Sequence, residues 1–253
     1  MLFTGKELLL DAQKNNYAVG AFNVNNMEII QAIVGAAEET NSPVILQASQ
    51  GAIKYAGIEY IASLGKLAGL NSKVPVALHL DHGTDFDQVM LCIRHGFTSV
   101  MIDGSRFPLE ENIAYTKKVV EIAHAVGVSV EAELGKIGGT EDHISVSDRD
   151  ATFTDPLEAK RFVEETGVDF LAIAVGTAHG VYKGEPKLDY DRIQAIRDIV
   201  DVPLVLHGSS GVPYESLKKA ITLGVCKINI DTDIRAAFAN SVKEFVKDNP
   251  EEI

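Results

Sequence analysis

The sequence predicts a (β/α)8 barrel, and three observations carry that expectation. The chain has 253 residues, close to the ~250 typical of this fold and enough for one large core. Eight short runs of β-branched and apolar residues alternate with longer amphipathic segments. The polar residues that interrupt the apolar pattern collect at the ends of those runs, where barrels of this class carry their chemistry.

The elements follow in order. Tyr17–Phe22 reads as the first strand, with a helix from about Asn26 to Glu39 behind it. Pro43–Ala48 is the second strand, Pro75–Leu80 the third and Thr98–Ile102 the fourth. A helix with apolar Ile113, Val119, Val120, Ile122 and Ala123 leads to the fifth strand, Val128–Glu133. Phe170–Val175, Pro203–Leu206 and Cys226–Ile230 complete the set. Several of these runs are almost wholly apolar, as strands covered on both faces must be. Eight βα units favour a closed barrel over an open doubly wound sheet. The alternative also lacks its phosphate loop, since neither G-x-G-x-x-G after the first strand nor a Walker A motif is present.

Nothing in the composition breaks the chain, so residues 1–253 read as one domain. The longest irregular stretch, Leu134 to Thr154, holds Gly135, Gly138 and Gly139 and is expected to be a functional lid. Hydrophobic residues make up 46% and charged residues 23% of the chain, an ordinary globular balance. The formal net charge of −13, with no basic run, argues against nucleic acid. A small anion remains open to it through backbone N–H groups and one or two cations. Cys92 and Cys226 lie in apolar segments without metal-type spacing and read as buried thiols of a reducing compartment. Neither a signal peptide nor a membrane-length apolar run is visible, and a cytoplasmic location is expected.

The polar residues at the strand ends are His79, Asp81 and His82 on the third, Glu131 and Glu133 on the fifth, His179 after the sixth and His207 after the seventh. Asn229, Asp231 and Asp233 follow the eighth. A lone histidine is usually structural or exposed, and His95, His124 and His143 keep that reading. Histidines at three strand ends converge on one mouth, and neutral imidazoles suit zinc and its neighbours. Two of them precede glycine, in A-H-G (Ala178–Gly180) and H-G-S-S-G (His207–Gly211). Glycine there lets a ligand approach the backbone and bares N–H groups to an anion. Asn229–Asp233 opens a helix whose first N–H groups can hold phosphate, or Asp231 or Thr232 simply caps that helix. Lys227 lies one layer below Asn229 on the same strand face, as a buried partner for a carboxylate or as a Schiff-base lysine; the ion pair is the favoured reading.

Eight segments carry a further reading: YAVGAFNVNN (17–26), PVILQAS (43–49), HLDHG (79–83), SVMIDGS (99–105), VEAELGKIGGTED (130–142), GTAHGVYKGEP (176–186), LVLHGSSG (204–211) and CKINIDTD (226–233). Over essentially the whole chain the sequence resembles the class II, metal-dependent fructose-bisphosphate aldolases and the neighbouring tagatose-bisphosphate enzymes. The resemblance implies zinc ligands at His82, His179 and His207, with Glu133 as an extra or alternate ligand. Cobalt or manganese are alternatives to zinc. It implies that Asp81 exchanges a proton with the C4 hydroxyl and that Glu141, in the glycine-rich lid, serves C3. Gly180, Gly208, Ser209, Ser210, Asn229 and Thr232 correspond to the pocket for the dihydroxyacetone phosphate half, whose carbonyls also hold sodium or potassium. Asn23 and Ser49 correspond to polar residues of the cleft and Lys183 to a phosphate contact. Asp231 is the position that separates the two sugars, and Arg235 corresponds to the arginine on the distal phosphate, often across a subunit interface.

The activity implied is reversible cleavage of fructose 1,6-bisphosphate to dihydroxyacetone phosphate and glyceraldehyde 3-phosphate, as in glycolysis and gluconeogenesis, by a homodimer or homotetramer. The competing expectations are the same chemistry on tagatose 1,6-bisphosphate, Schiff-base chemistry at Lys227, and a metal-binding barrel without turnover. An amidohydrolase-type barrel is weaker, because H-x-H is missing from the first strand. Members of the family usually continue past Pro250–Ile253 with a C-terminal tail, so the resemblance implies that this tail is missing here.

Overall fold

A computed structural model describes residues 2–141, 144–147, 151–182 and 184–252, the side chains of 141, 144 and 145 excepted. In chain order the elements are α1 (Gly5–Asn15), β1 (Val19–Asn23), α2 (Met27–Glu39), β2 (Val44–Ser49), α3 (Gln50–Ala56), α4 (Ile58–Asn71), β3 (Val76–Gly83), α5 (Phe86–Arg94), β4 (Ser99–Ile102) and α6 (Leu109–Ala125). They continue as β5 (Ser129–Leu134), β6 (Gly138–Glu141), β7 (Ile144–Val146), α7 (Pro156–Thr166), β8 (Phe170–Ile173), β9 (Ala178–His179), α8 (Tyr190–Arg197), β10 (Leu204–Leu206), α9 (Tyr214–Thr222), β11 (Val225–Ile230) and α10 (Thr232–Asp248).

Eight parallel strands close in the order β1-β11-β10-β8-β5-β4-β3-β2. The barrel expected from the sequence is therefore the observed fold, with strand limits that differ by at most three residues. β-strands present alternate side chains to opposite faces, so the inside of the barrel is written every second residue. At the N-terminal end the inner residues are apolar: Ala21, Ile45, Ala77, Phe170, Ala172 and Val205 pack against Leu8, Leu9 and Ala12 of α1. Two residues further along, Ile45 gives way to Gln47, Ala77 to His79 and Val205 to His207, all fully buried. One more step reaches Asn23, Ser49, Asp81, Glu133 and Asn229 at the C-terminal mouth. The outer faces of the same strands carry Val44, Leu46, Val76, Leu78, Leu80, Val130 and Ala132 into the layer beneath the helices.

Three features depart from the sequence reading. No element is assigned by that reading to the first fifteen residues, yet α1 closes the bottom of the barrel. Its start is fixed by a capping box in which Thr4 Oγ1 accepts from Glu7 N–H at 3.2 Å and Glu7 Oε2 accepts from Thr4 N–H at 2.8 Å. The stretch 134–154, expected to be irregular, contains the β6–β7 hairpin, and β6 also pairs with β9. The candidate lid thus shares a small sheet with His179. Finally α10, though amphipathic, buries none of its residues. Phe238, Val242, Phe245 and Val246 recur at helical spacing on it and stay exposed. An apolar groove lined by Phe22, Ile29, Ile33, Ala37, Ile234 and Phe238 runs between α2 and the base of α10.

Candidate metal centre

The site begins with a local irregularity in β3. Residues 81 and 82 of a regular strand would point to opposite faces, and only one could enter the barrel. Between Leu80 and Gly83 the register against β4 shifts, and His82 takes a left-handed φ of 47°. A bulge of this kind re-aims a side chain, and strained backbone of this kind concentrates at functional sites. Both Asp81 and His82 therefore face the mouth.

His82, His179 and His207 each bring one ring nitrogen to within 4.8 Å of the other two. His207 Nδ1 and His82 Nε2 are 2.8 Å apart. The outer nitrogens are committed to carboxylates, His82 Nδ1 to Asp103 Oδ2 at 2.9 Å and His207 Nε2 to Glu131 Oε1 at 2.6 Å. With each imidazole donating outward, two lone pairs confront each other, an arrangement that a cation between them satisfies. Carboxylate partners of this sort fix the tautomer and raise the basicity of ligating histidines. Burial pushes the imidazoles of His179 and His207 down, favouring the neutral form that ligates.

Glu133 supports the same conclusion. It is 2% exposed, and its buried Oε2 has no hydrogen-bond partner among the described residues. Burial, with Asp103 nearby, pushes its carboxyl well above the usual range. Glu133, Asp103 and His82 form a second group whose ligand atoms also lie within 4.8 Å of one another. A buried carboxylate oxygen without a partner is costly, and a divalent cation beside it removes that cost. The donor set fits a metal of the zinc type.

Asp81 is fully buried beside these histidines. Burial by itself would raise its carboxyl, but His82, His207 and Lys227 outweigh that and hold it below the usual range. Asn23 Nδ2 donates to Oδ2 at 2.9 Å, Gln47 Nε2 to the same oxygen at 3.1 Å, and Asn229 Nδ2 to Oδ1 at 3.3 Å. The carboxylate is thus ionised and held in one orientation at the barrel mouth. Lys227 forms the ion pair favoured from the sequence, with Nζ 2.7 Å from Glu131 Oε2.

Beside the histidines lies a small cleft, lined by Asn23, Thr140, His179, Gly180 and Gly208 and by Ser210, Asn229, Asp231, Thr232 and Arg235. Gly208 has φ 61°, and a Cβ on it would lie 2.5 Å from the Ala178 carbonyl oxygen. Only glycine lets the turns that carry His179 and His207 come this close. Tyr182 ties the same turns together: its hydroxyl donates to Gly208 O at 2.7 Å and accepts from Ala178 N–H at 2.8 Å. Ser210 Oγ accepts from the N–H groups of Asp231 and Asp233 at the start of α10. Asp231 pairs with Arg235 and makes no side-chain cap. Ser49 is buried as the cap of α3, accepting from Ala52 N–H at 3.2 Å. Ser209 Oγ turns back to Leu206 O at 3.2 Å and faces away from the cleft. The backbone of Glu141 ends β6, while its side chain and Lys183 lie outside the described residues.

Sequence reasoning overlooks three contributors. Asp103 directs His82 and stands just beyond β4, a strand-end position that the same rule could have flagged. Gln47 interrupts an apolar run in β2 and steadies Asp81. Tyr182 carries no sequence signal, because its partners are backbone atoms of two distant turns. Of the histidines set aside, His124 pairs with buried Asp169 at 2.8 Å, and His143 lies outside the described residues.

The profile of the family described as fructose-bisphosphate aldolase class-II matches residues 3–253. A fructose-bisphosphate aldolase of Thermus caldophilus is 50% identical over 275 aligned positions, which span 100% of this chain and 90% of that protein. Among solved structures, the YdjI aldolase of Escherichia coli K12 superposes with a TM-score of 0.86 at 38% identity, over 100% of this chain and 89% of that one. The fructose-bisphosphate aldolase of Campylobacter jejuni superposes with a TM-score of 0.81 at 30% identity, over 98% and 82% of the two chains.

Proposed function

The chain belongs to the class II fructose-bisphosphate aldolase family, and from that premise we propose which of its residues carry out the reversible cleavage of fructose 1,6-bisphosphate to dihydroxyacetone phosphate and glyceraldehyde 3-phosphate. The observation that carries the reading is the pair of inward-facing nitrogens of His82 and His207 beside the ionised, buried Asp81. His82, His179 and His207 would hold the metal, with Glu133 in reserve. We assign zinc, or cobalt or manganese in its place, since three imidazoles suit these ions better than magnesium or calcium. When bound, such an ion is a Lewis acid for the C2 carbonyl, which lets the electron pair of the breaking C3–C4 bond reside at C3.

Asp81 takes the proton of the C4 hydroxyl as that bond breaks and C4 becomes the aldehyde carbon. Asn23, Gln47 and Asn229 keep its carboxylate ionised and aimed. Glu141, at the end of β6, then gives a proton to C3 to complete dihydroxyacetone phosphate. Closure of the hairpin over the mouth excludes water meanwhile. Gly180, Gly208, Ser210 and Thr232 cradle one phosphate near the start of α10, where helix N–H groups favour an anion. Lys183 and Arg235 contact phosphate as cations, and carbonyls of the same turns take a sodium or potassium ion.

The exposed apolar face of α10 and the groove beside it favour a homodimer or homotetramer, because apolar surface of this kind ordinarily marks an interface. Buried, unbridged Cys92 and Cys226 fit a reducing compartment, and the cytoplasm, with a part in glycolysis or gluconeogenesis, is the assignment we favour. The test is a coupled assay of the metal-loaded protein on fructose and tagatose 1,6-bisphosphates. Release of triose phosphates from the fructose substrate supports the reading; a protein that binds metal and cleaves neither sugar contradicts it.

A further inference from the structure

Beneath the histidines the barrel interior holds a second polar layer that the reaction itself does not touch. Glu131 is fully buried at its centre, with three groups around one carboxylate. Lys227 Nζ is 2.7 Å from Oε2, His79 Nε2 is 3.3 Å from Oε2, and His207 Nε2 is 2.6 Å from Oε1. His79 is anchored on its far side by Ser99 Oγ at 2.8 Å. Of these three groups only His207 continues to the mouth, where its Nδ1 meets His82 Nε2.

We propose that Lys227 is a positioning residue of the metal centre: by holding Oε2 of Glu131 it commits Oε1 to His207 Nε2, and so turns His207 Nδ1 toward His82 and His179. A carboxylate with one strong partner can turn about its Cγ–Cδ bond and swing the accepting oxygen off the line to the imidazole. A lysine on Oε2 removes that freedom, because an ammonium at 2.7 Å makes a strong charge-assisted hydrogen bond. β11 places Lys227 opposite Val19 of β1 and Val205 of β10, one layer below Asn229. There it is fully buried with its ammonium engaged by Glu131, an arrangement that favours the ion pair over a Schiff base at this lysine. A buried ion pair is a poor device for stability alone, since apolar residues of similar volume often do as well. Its place behind one ligand gives it a different use.

The inference rests on the metal reading, and the test separates the two. Cobalt affinity is measured by competition with a chromophoric chelator for the unaltered protein, Lys227→Met, Glu131→Gln and the double variant. Circular dichroism checks that each is folded. Lys227→Met is expected to weaken cobalt by about 10–100-fold, the usual cost of losing an outer-sphere partner. The double variant should bind within about twofold of Glu131→Gln alone, because Lys227 acts through that carboxylate. Unaltered affinity in Lys227→Met, or losses that multiply in full, overturns the proposal. An unaltered protein that binds no cobalt overturns the metal reading and this inference with it. Nitrogen-15 histidine NMR of the unaltered apo-protein needs no variant to fold: a proton on Nε2 of His207 supports the proposal, and one on Nδ1 overturns it.

Discussion

His207 Nδ1 faces His82 Nε2 across 2.8 Å, while Glu131 and Asp103 hold the outer nitrogens of the two rings. The protein's own carboxylates therefore orient both rings, and the proposal divides the residues around them into those that would hold the ion and those that would move protons.

Asp81 and His82 are neighbours to which the proposal gives different duties. His82→Ala should remove a ligand and lower metal content, measured by atomic absorption after gel filtration. Asp81→Ala should keep its metal and slow cleavage by about 10²–10⁴-fold, the range for a lost general base. The reverse pattern, with metal lost from the aspartate variant only, would exchange the two roles.

Glu141 is expected to serve C3. In Glu141→Ala, exchange of the C3 proton of dihydroxyacetone phosphate with solvent deuterium should fall sharply, while the triose phosphate still binds. Exchange at the unaltered rate would leave Glu141 an ordinary residue of the hairpin.

Asp231 and Arg235 pair at the rim of the cleft. A carboxylate there can accept a hydrogen bond from a substrate hydroxyl in only one configuration. A hydrogen bond to a charged group that only one epimer can make is worth about 1.5–3 kcal/mol, a rate preference of about 13 to 160. Fructose 1,6-bisphosphate should be preferred, Asp231→Ala should narrow the gap between epimers, and Arg235→Ala should raise KM for both. Equal or faster cleavage of tagatose 1,6-bisphosphate by the unaltered protein would reassign the substrate and leave the chemistry standing.

The sequence exposed the parts of this site that follow from local pattern. Period-two strands place His79, Asp81, Glu131 and Glu133 inside the barrel, and the strand-end rule finds His82, His179 and His207. What stayed hidden depends on distant contacts. Whether Lys227 meets Glu131 is decided by strands β11 and β5 across the barrel, 96 positions apart. The bulge that turns His82 inward has no residue signature, because no glycine marks its left-handed backbone. The hairpin in 134–154 is short and rich in polar residues, so its strand pattern is weak. The helix α1 draws its stability from the barrel floor it covers rather than from its own propensity.

Stability should depend on pH in a definite direction. Burial pushes His79, His179 and His207 below the ordinary imidazole value, and the unfolded chain titrates near the ordinary ~6.5. Below that value the unfolded state takes up protons that the folded state refuses, so stability falls as pH falls. Glu133, pushed up by burial and by Asp103, acts in the opposite sense, one carboxyl against three imidazoles. The metal-free protein should therefore melt at lower temperature at about pH 5 than at about pH 7. A midpoint that holds level or rises on acidification would show that the imidazoles are not kept neutral.

The most direct test of the central claim is cleavage of fructose 1,6-bisphosphate before and after treatment with a strong chelator, followed by addition of zinc or cobalt and, in parallel, borohydride with substrate present. A metal held by His82, His179 and His207 predicts loss of activity with the chelator, recovery with either ion, and indifference to borohydride. Activity that survives the chelator and is destroyed by borohydride would contradict the account and return Lys227 to the centre of the chemistry.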